Sequence, residues 1–250
     1  MLFGIYHQPA AQNIRDIAIV LCYPGPQEYM RAHWAIRRLA GLLCQTGFAT
    51  FRFDYFGMGD SSGEGGEGDV SQWKADIHMA ADELMEMADV REVSIVGLRL
   101  GGALAVAACN EGLHVRDLVL WDPVVSGKQY VKELQGLHSR VVSDMEGSVR
   151  DRDTDELLGF PFPSEMKKGI ERIDLLNSPP CGSERVFLIV SEERKEYHDL
   201  RIKLSTDRPQ FEYSLVPDGN QWCEFENFYA VLMVNDILHE IVGKLAGKNR

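Results

Sequence analysis

One turn of the sequence has the spacing of a catalytic nucleophile but carries a residue that cannot act as one. Gly97, Arg99 and Gly101 form the frame Gly-x-Arg-x-Gly within residues 95–102, Ile-Val-Gly-Leu-Arg-Leu-Gly-Gly. In enzymes that use this frame, the central residue is normally a serine on a strained strand-to-helix turn, and the glycines let strand and helix approach closely. A guanidinium stays protonated and cannot attack a carbonyl carbon. The frame therefore predicts an acyl-transfer scaffold without its nucleophile.

Short apolar runs alternate with helical periodicity along most of the chain and define the elements around this turn. The expected strands are residues 17–22, 49–54, 92–96, 117–121, 185–190 and 211–216, and the expected helices are residues 30–45, 71–88, 100–109 and 228–246. Either Asp69 or Ser71 can cap the second helix. Strands that alternate with helices predict an α/β fold with a mostly parallel central sheet covered by helices on both faces.

The alternation stops between residues 127 and 183. This stretch is polar and has helical spacing, it is interrupted by Gly-Phe-Pro-Phe-Pro at residues 159–163, and it contains no convincing strand. We interpret it as a helical cap inserted into the sheet domain. The predicted organisation is a core of residues 1–126 and 184–250 with a cap of residues 127–183.

Composition excludes several classes of function. The 250 residues are 45% hydrophobic and carry a formal net charge of −12, which suits one large domain and disfavours a nucleic-acid partner. No apolar run approaches the ~20 residues of a membrane span, and residues 1–12 lack the pattern of a signal peptide. Five scattered cysteines without a Cys-x-x-Cys pair predict neither a metal site nor a disulfide framework, so we expect no cofactor and a cytoplasmic location.

Four segments carry a family resemblance. They are residues 51–61 (Phe-Arg-Phe-Asp-Tyr-Phe-Gly-Met-Gly-Asp-Ser), the turn at residues 95–102, residues 120–124 (Leu-Trp-Asp-Pro-Val) and residues 157–161 (Leu-Leu-Gly-Phe-Pro). The chain resembles α/β-hydrolases of the serine aminopeptidase type, and more narrowly the hydrolase-like proteins encoded with exosortase and exopolysaccharide systems. The resemblance implies an α/β-hydrolase fold. It also implies that Asp54 and Ser61 belong to a structural loop below the active site.

The resemblance assigns three triad positions to this sequence. The nucleophile position falls on Arg99, and the acid position falls near Glu192 or Glu193. The histidine position falls within residues 216–223, where no histidine occurs and Asn220 stands in the expected place. Because a serine triad needs an imidazole to take the serine proton, we expect no hydrolysis by this chemistry.

Arg99 is expected to need an acidic partner, because a buried guanidinium is costly without one. Asp122 is the leading candidate, and Glu192 or Glu193 could also converge there. Such a pair would plug the empty site; alternatively, Arg99 at a helix N-terminus could bind an anion. The residues expected to line this pocket are Tyr23, Gly25, Arg99, Leu100, Asp122 and Trp222. The resemblance implies oxyanion donors at Leu100 and in residues 23–27, where Pro24 and Pro26 have no N–H.

These observations favour a non-hydrolytic pseudoenzyme that binds a small anionic or acyl ligand, or a protein partner. The alternative is an active hydrolase or acyl-transfer enzyme with a non-standard site around Arg99, Asp122 and Glu192. A third hypothesis is a homodimer formed through the cap or the last helix. As substitute catalysts, His138 and His198 are expected to be solvated, and Cys22 and Cys223 are expected to be inert.

Overall fold

The computed structural model describes residues 1–10, 12, 14–144, 155–179, 182–207, 210–217 and 234–247. Its strands are β1 (Gly4–His7), β2 (Ile17–Cys22), β3 (Ala49–Phe53), β4 (Glu92–Leu98), β5 (Val115–Trp121), β6 (Glu156–Leu157), β7 (Phe160–Pro161), β8 (Ser183–Val190) and β9 (Phe211–Leu215). Its helices are α1 (Pro26–Gln45), α2 (Val70–Ala88), α3 (Leu100–Asn110), α4 (Gly127–Asp144), α5 (Ser164–Glu171), α6 (Lys195–Asp207) and α7 (Asn235–Ala246).

A seven-stranded sheet organises the fold. Its strand order is β1-β3-β2-β4-β5-β8-β9, and every neighbouring pair is parallel except β1 and β3. All six residues of β2 are buried, because helices cover both faces of a parallel sheet and its strands become continuously apolar. The predicted α/β fold with a mostly parallel central sheet is confirmed. The carboxyl ends of β2, β4, β5 and β8 meet at one edge, where β4 leads into α3.

The edge strand β1 was not apparent from the sequence. Its four residues are half-buried and lack an apolar run, so no periodicity marks them. It is held by antiparallel pairing with β3, from Gly4 opposite Phe53 to His7 opposite Thr50. A strand this short depends on its partner rather than on its own sequence.

The structure defines the residues at which helices α1 and α2 begin. Helix α1 begins at Pro26, four residues before the predicted start, because proline has the backbone angle of a first helical residue and needs no N–H there. Helix α2 is capped by Asp69, whose side chain accepts a hydrogen bond from the Gln72 backbone N–H at 2.8 Å. Of the last predicted helix, residues 228–233 lie outside the described residues, and α7 occupies the remainder.

Between β5 and β8 the chain forms α4, the ribbon β6–β7 and α5. The expectation that residues 127–183 contain no strand is wrong for the ribbon, in which Glu156 pairs with Pro161 and Leu157 with Phe160. Leu158 and Gly159 make the tight turn with positive φ angles of 56° and 83°. The Leu158 N–H also donates to His138 Nδ1 at 3.1 Å, which ties the ribbon to α4. The division of the chain into a core and a cap of residues 127–183 stays a prediction.

Candidate functional site

Arg99 occupies a strained turn at the carboxyl edge of the sheet. It lies between β4 and α3 with φ 52° and ψ −119°, a backbone conformation that a residue with a side chain rarely adopts. The turn is fixed by its own backbone: the Arg99 N–H donates to the Trp121 carbonyl at 3.0 Å, and the Arg99 carbonyl accepts from Gly102 and Val124. The predicted strand–turn–helix around Arg99 is thus present.

Glycine is required on both sides of this turn because backbones approach there. A Cβ on Gly97 would lie 2.5 Å from the Cα of Gly102, and one on Gly101 would collide with the carbonyl oxygen of Tyr23. No side chain fits at either position without moving backbone. The prediction that these glycines permit close approach of strand and helix is confirmed.

The Arg99 side chain is 3% exposed and is held from three directions. Its Nε donates to Glu28 Oε1 at 2.9 Å, which makes a buried ion pair. Its Nη1 donates to the Asp122 carbonyl oxygen at 3.2 Å and to the Tyr197 hydroxyl at 3.4 Å. Burial raises the pKa of Tyr197, with the Arg99 charge opposing that rise, so its hydroxyl stays protonated beside the guanidinium.

Glu28 is the acidic residue that sequence reasoning missed. It lies in the first turn of α1, where the helix dipole stabilises a carboxylate, and its side chain is 1% exposed. Its second oxygen, Oε2, accepts from the Tyr130 hydroxyl at 3.0 Å. The Tyr130 ring, from α4, lies 5.7 Å from the guanidinium carbon of Arg99. The ion pair is therefore enclosed by residues of α1, of the turn before α3, of α4 and of α6. Glu28, Arg99, Tyr130 and Tyr197 form what we call the Arg99 cluster.

The structure places Asp122 next to Arg99, but the guanidinium donates to the Asp122 backbone carbonyl, whereas the acidic partner that the sequence assigned to Asp122 is Glu28. Asp122 follows β5 with φ 42° and is 1% exposed. Its carboxylate accepts from the backbone N–H of Ser191 at 2.7 Å and from the Ser191 hydroxyl at 2.9 Å. These bonds tie the end of β5 to the end of β8. Asp122 thus orients the sheet edge as well as contacting Arg99 through its carbonyl.

The expectation that Glu192 or Glu193 would converge on Arg99 is wrong. The Glu192 side chain is 46% exposed, and its Oε1 accepts from Arg194 Nε at 2.7 Å. Ser191, the first residue after β8, points to Asp122, while the next side chain points to solvent. Glu193 is exposed. The acid that pairs with Arg99 comes instead from α1.

A second charged group lies between α4 and α6 on the outer side of this cluster. Arg194 lies 3.7 Å from Glu133 and 3.6 Å from Glu196, in addition to its bonds with Glu192. Burial and the Glu133 carboxylate raise the pKa of Glu196. Arg99 and Arg194 act in the opposite direction on the same carboxyl group, which places Glu196 within the electrostatic reach of both arginines.

The remaining predicted pocket residues divide into three groups. Gly25 and Leu100 adjoin the cluster: a Cβ on Gly25 would lie 3.0 Å from the Tyr130 hydroxyl and 3.3 Å from Leu100 Cδ2. Tyr23 is fully buried and its hydroxyl accepts from Arg52 Nη1 at 3.2 Å, so it joins another network. Asn220 and Trp222 lie outside the described residues.

Gln27, beside Gly25, carries a buried donor that sequence reasoning also missed. The residue is 5% exposed, and its Nε2 has no hydrogen-bond partner among the described residues. A buried amide donor without a partner costs about 1–3 kcal/mol. In the sequence, the only indication that Gln27 lies at the site is its position after the first parallel strand, where ligands of open α/β sheets bind.

The described residues that could replace the missing nucleophile or base are buried, bonded to the protein or exposed to solvent. Burial raises the pKa of the Cys22 thiol to about 12, so it does not form a thiolate at neutral pH. His198 is exposed on α6, as expected, whereas His138 is half-buried and accepts from the ribbon. Cys223 lies outside the described residues. Among the described residues, no group of three or more His, Cys, Asp or Glu side chains is placed to hold a metal ion.

The loop that carries Asp54 and Ser61 has a structural role, consistent with the resemblance. Asp54 accepts from the Tyr29 hydroxyl at 2.7 Å and from the Asp60 N–H at 3.0 Å. The Ser61 hydroxyl donates to the Asp54 carbonyl at 2.6 Å and accepts from the Phe3 N–H at 2.8 Å. Each polar group is used to fix the loop, which leaves neither side chain directed at a reactant.

Sequence comparison decides the family. The family model described as "Serine aminopeptidase, S33" matches residues 16–157, more than half of the chain. The chain belongs to this serine aminopeptidase family. The matched region includes Glu28, Arg99 and Asp122 and extends to the ribbon. No curated protein matches the chain significantly in sequence.

Solved structures agree with this family assignment at the level of the fold. Est1E from Butyrivibrio proteoclasticus, solved with ferulic acid bound, is 16% identical with a TM-score of 0.64, and the alignment covers 98% of this chain and 96% of that chain. Mouse α/β hydrolase domain-containing protein 10 is 21% identical with a TM-score of 0.58, over 98% and 92% of the two chains. A carboxyl esterase from Bacillus coagulans is 12% identical with a TM-score of 0.64, over 98% and 94%.

In the part of the chain that the structure describes, no helix has both the length and the apolar character of a membrane span. The three described cysteines, Cys22, Cys44 and Cys109, are buried.

Proposed function

We propose that this family member does not hydrolyse substrates with a serine triad and acts instead as a binding protein. The observation that carries the proposal is the buried ion pair of Arg99 with Glu28. Arg99 stands in the strained turn where the fold would present a nucleophile. Its side chain is enclosed by Glu28, Tyr130 and Tyr197, so the space in front of the turn is occupied by the protein itself.

The charge at this cluster determines which ligand the proposal favours. Glu28 already supplies the carboxylate that the guanidinium requires, at 2.9 Å. A small anion would have to displace Glu28 from Arg99 and leave that carboxylate buried without its cation, which is strongly unfavourable. The cluster therefore supports a structural plug more than an anion site, and it favours an uncharged ligand or a protein partner elsewhere on the molecule.

The alternative of an active enzyme around Arg99, Asp122 and Glu192 has less support. A general base must be within hydrogen-bond reach of the proton that it takes. Glu192 is bonded to Arg194 near the surface, and the Asp122 carboxylate is engaged by two hydrogen bonds from Ser191. Neither carboxylate has an arrangement that favours proton abstraction from a substrate. A cytoplasmic location stays a prediction.

Hydrolysis of p-nitrophenyl butyrate tests this proposal directly. We expect the wild-type chain to release nitrophenol no faster than the buffer does, and we expect Arg116→Met to behave identically. Arg116 is an exposed arginine that pairs with exposed Glu92, so it serves as a matched control for charge removal. Turnover in the wild type above the buffer rate would contradict the proposal. Turnover that is kept in Arg116→Met and lost in Arg99→Met, under conditions where circular dichroism shows both variants folded, would assign chemistry to the Arg99 turn.

A further inference from the structure

A cavity of about 180 Å³ lies beside the Arg99 cluster and is lined by none of its residues. It opens to solvent and lies between the start of α1, residues 57–68 of the loop after β3, Trp73 of α2, the ribbon and α5. Its side-chain walls include Pro26, Tyr29, Met58, Trp73, Phe160 and Met166. The cavity therefore lies between the glycine-rich loop of the sheet domain and the segment inserted between β5 and β8.

The lining of this cavity is uncharged and mostly apolar. Among the described residues, no Asp, Glu, Lys or Arg contributes to the wall, and two of its large side chains, Met58 and Met166, are flexible thioethers that adapt to the shape of an apolar ligand. Trp73 adds an aromatic ring to the wall, and its Nε1 is already bonded to the Phe56 carbonyl at 3.1 Å. An uncharged apolar group matches such a wall, because nothing in it would compensate a buried charge.

Glycines form much of one wall of the cavity. Five of its lining residues are glycines, Gly57, Gly59, Gly65, Gly66 and Gly68, so much of one wall is bare backbone. Gly57 and Gly66 have φ angles of 76° and 95°, which disfavour any residue with a side chain. The space thus follows from the loop conformation, and it is not a gap that a single substitution happened to leave.

Tyr29 gives the cavity one polar feature. Its hydroxyl donates to Asp54 Oδ1 at 2.7 Å. Burial and the Asp54 carboxylate raise the pKa of Tyr29, so the hydroxyl keeps its proton and its oxygen can accept one further hydrogen bond. An incoming apolar group with a single donor at one end would match this arrangement.

We propose that this cavity binds a small uncharged apolar group, of the size of one aromatic ring or a six-carbon acyl chain. The volume supports that size, because an apolar protein cavity of roughly 150 Å³ takes up benzene. This inference rests on the proposed binding function and adds the class of ligand. The Arg99 cluster would stay closed while the ligand occupies the neighbouring cavity.

Methyl NMR of the full chain, labelled with ¹³C at the methionine methyl groups, tests the site with toluene as the probe. We expect toluene to shift the Met58 and Met166 methyl signals and to show intermolecular NOEs to the Trp73 indole. The methyl groups of Met79 and Met87 are internal controls, since both side chains are exposed on α2 and lie outside the cavity. Benzoate, which has the same ring with a charge, is expected to shift neither cavity signal.

Filling the cavity provides the second arm. In Met166→Phe, we expect the toluene shift of Met58 to need at least a tenfold higher concentration, whereas Met87→Phe, the same change at an exposed site, leaves it unchanged. The site is overturned if wild-type Met58 and Met166 do not move, if Met79 and Met87 move equally, or if benzoate binds as well as toluene. Failure of toluene binding would not change the result of the hydrolysis test, and ester turnover at Arg99 would not change the result of the toluene test. The two proposals can therefore fail independently.

Discussion

Arg99 Nε and Glu28 Oε1 lie 2.9 Å apart across 71 positions of sequence, with both side chains almost fully buried. The pair joins the first turn of α1 to the turn that begins α3, and Tyr130 extends it to α4. Two buried charges are tolerated only when geometry and hydrogen bonds compensate their lost hydration. Here the bond from Tyr130 to Glu28 and the carbonyl of Asp122 supply that compensation, so the cluster is a connection between elements as well as a filled site.

Removing the Arg99 charge should destabilise the fold strongly. In Arg99→Met we expect the free energy of unfolding to fall by about 3–5 kcal/mol, because Glu28 is left as an uncompensated buried carboxylate. Adding Glu28→Gln to Arg99→Met should recover part of this loss, since the amide keeps an acceptor for Tyr130 without a charge. Urea unfolding of the two single variants and the double variant measures the coupling.

Arg116→Met is the control for this cycle. Its guanidinium lies 3.6 Å from Glu92 with both side chains exposed, so we expect a change of at most about 1 kcal/mol. Two outcomes would show that the buried pair is not coupled as described. The first is an equal loss of unfolding free energy in Arg99→Met and Arg116→Met. The second is a double variant that is less stable than Arg99→Met by the full effect of Glu28→Gln alone.

The sequence predicted the turn but not its partner, for a physical reason. The Gly-x-Arg-x-Gly frame is local, so the strained backbone and the approach of strand and helix could be derived from adjacent residues. Glu28 is remote in sequence, and acidic residues in a first helical turn are common on surfaces because the helix dipole favours them. Only the packing of α1 against the sheet edge turns this carboxylate toward Arg99.

The strands show the same division between local and non-local information. Parallel strands buried on both faces are continuous apolar runs, as in β2, and they were predictable. The strands β1 and β6–β7 have two to four residues and no such run, because their pairing partners define them. The error at Glu192 concerns a position after the strand: Ser191, one residue earlier, reaches Asp122, whereas Glu192 lies near the surface.

Asp69, and not Ser71, should contribute the capping energy of α2. Its carboxylate accepts from the Gln72 N–H at 2.8 Å, so Asp69→Ala is expected to lower the free energy of unfolding by about 1 kcal/mol. Ser71 lies inside the first turn of α2, where its side chain is exposed, and Ser71→Ala should change stability by less than about 0.5 kcal/mol. Guanidinium unfolding of both variants decides between the two caps, and the reverse order of losses would contradict the described cap.

Two glycine-to-alanine variants should change stability in opposite directions. Gly59 has a φ of 54°, and a Cβ there would overlap the Asp54 carboxylate, so Gly59→Ala should destabilise the loop and weaken the bond from Tyr29. Gly41 lies inside α1 with no atom within 4 Å of a Cβ, so Gly41→Ala should stabilise the helix by about 0.5–1 kcal/mol. Thermal unfolding of both variants checks this, and a destabilising Gly41→Ala would contradict the open environment.

Glu196 should make stability fall as pH rises. Burial and Glu133 raise its pKa above the ordinary 4.5, so the folded chain holds this proton to a higher pH than the unfolded chain. The stabilisation is complete below pH 4.5 and is lost as pH rises through the raised pKa, so Glu196→Gln should gain stability relative to wild type between pH 4.5 and 7. Exposed Glu165 is the opposite control: its bond with Lys168 lowers its pKa, so wild type should gain slightly over Glu165→Gln as pH rises. Unfolding midpoints from about pH 3 to pH 7 measure both slopes, because the Glu165 change falls below pH 4.5 and the Glu196 change above it. A Glu196→Gln slope equal to that of Glu165→Gln would refute the raised pKa.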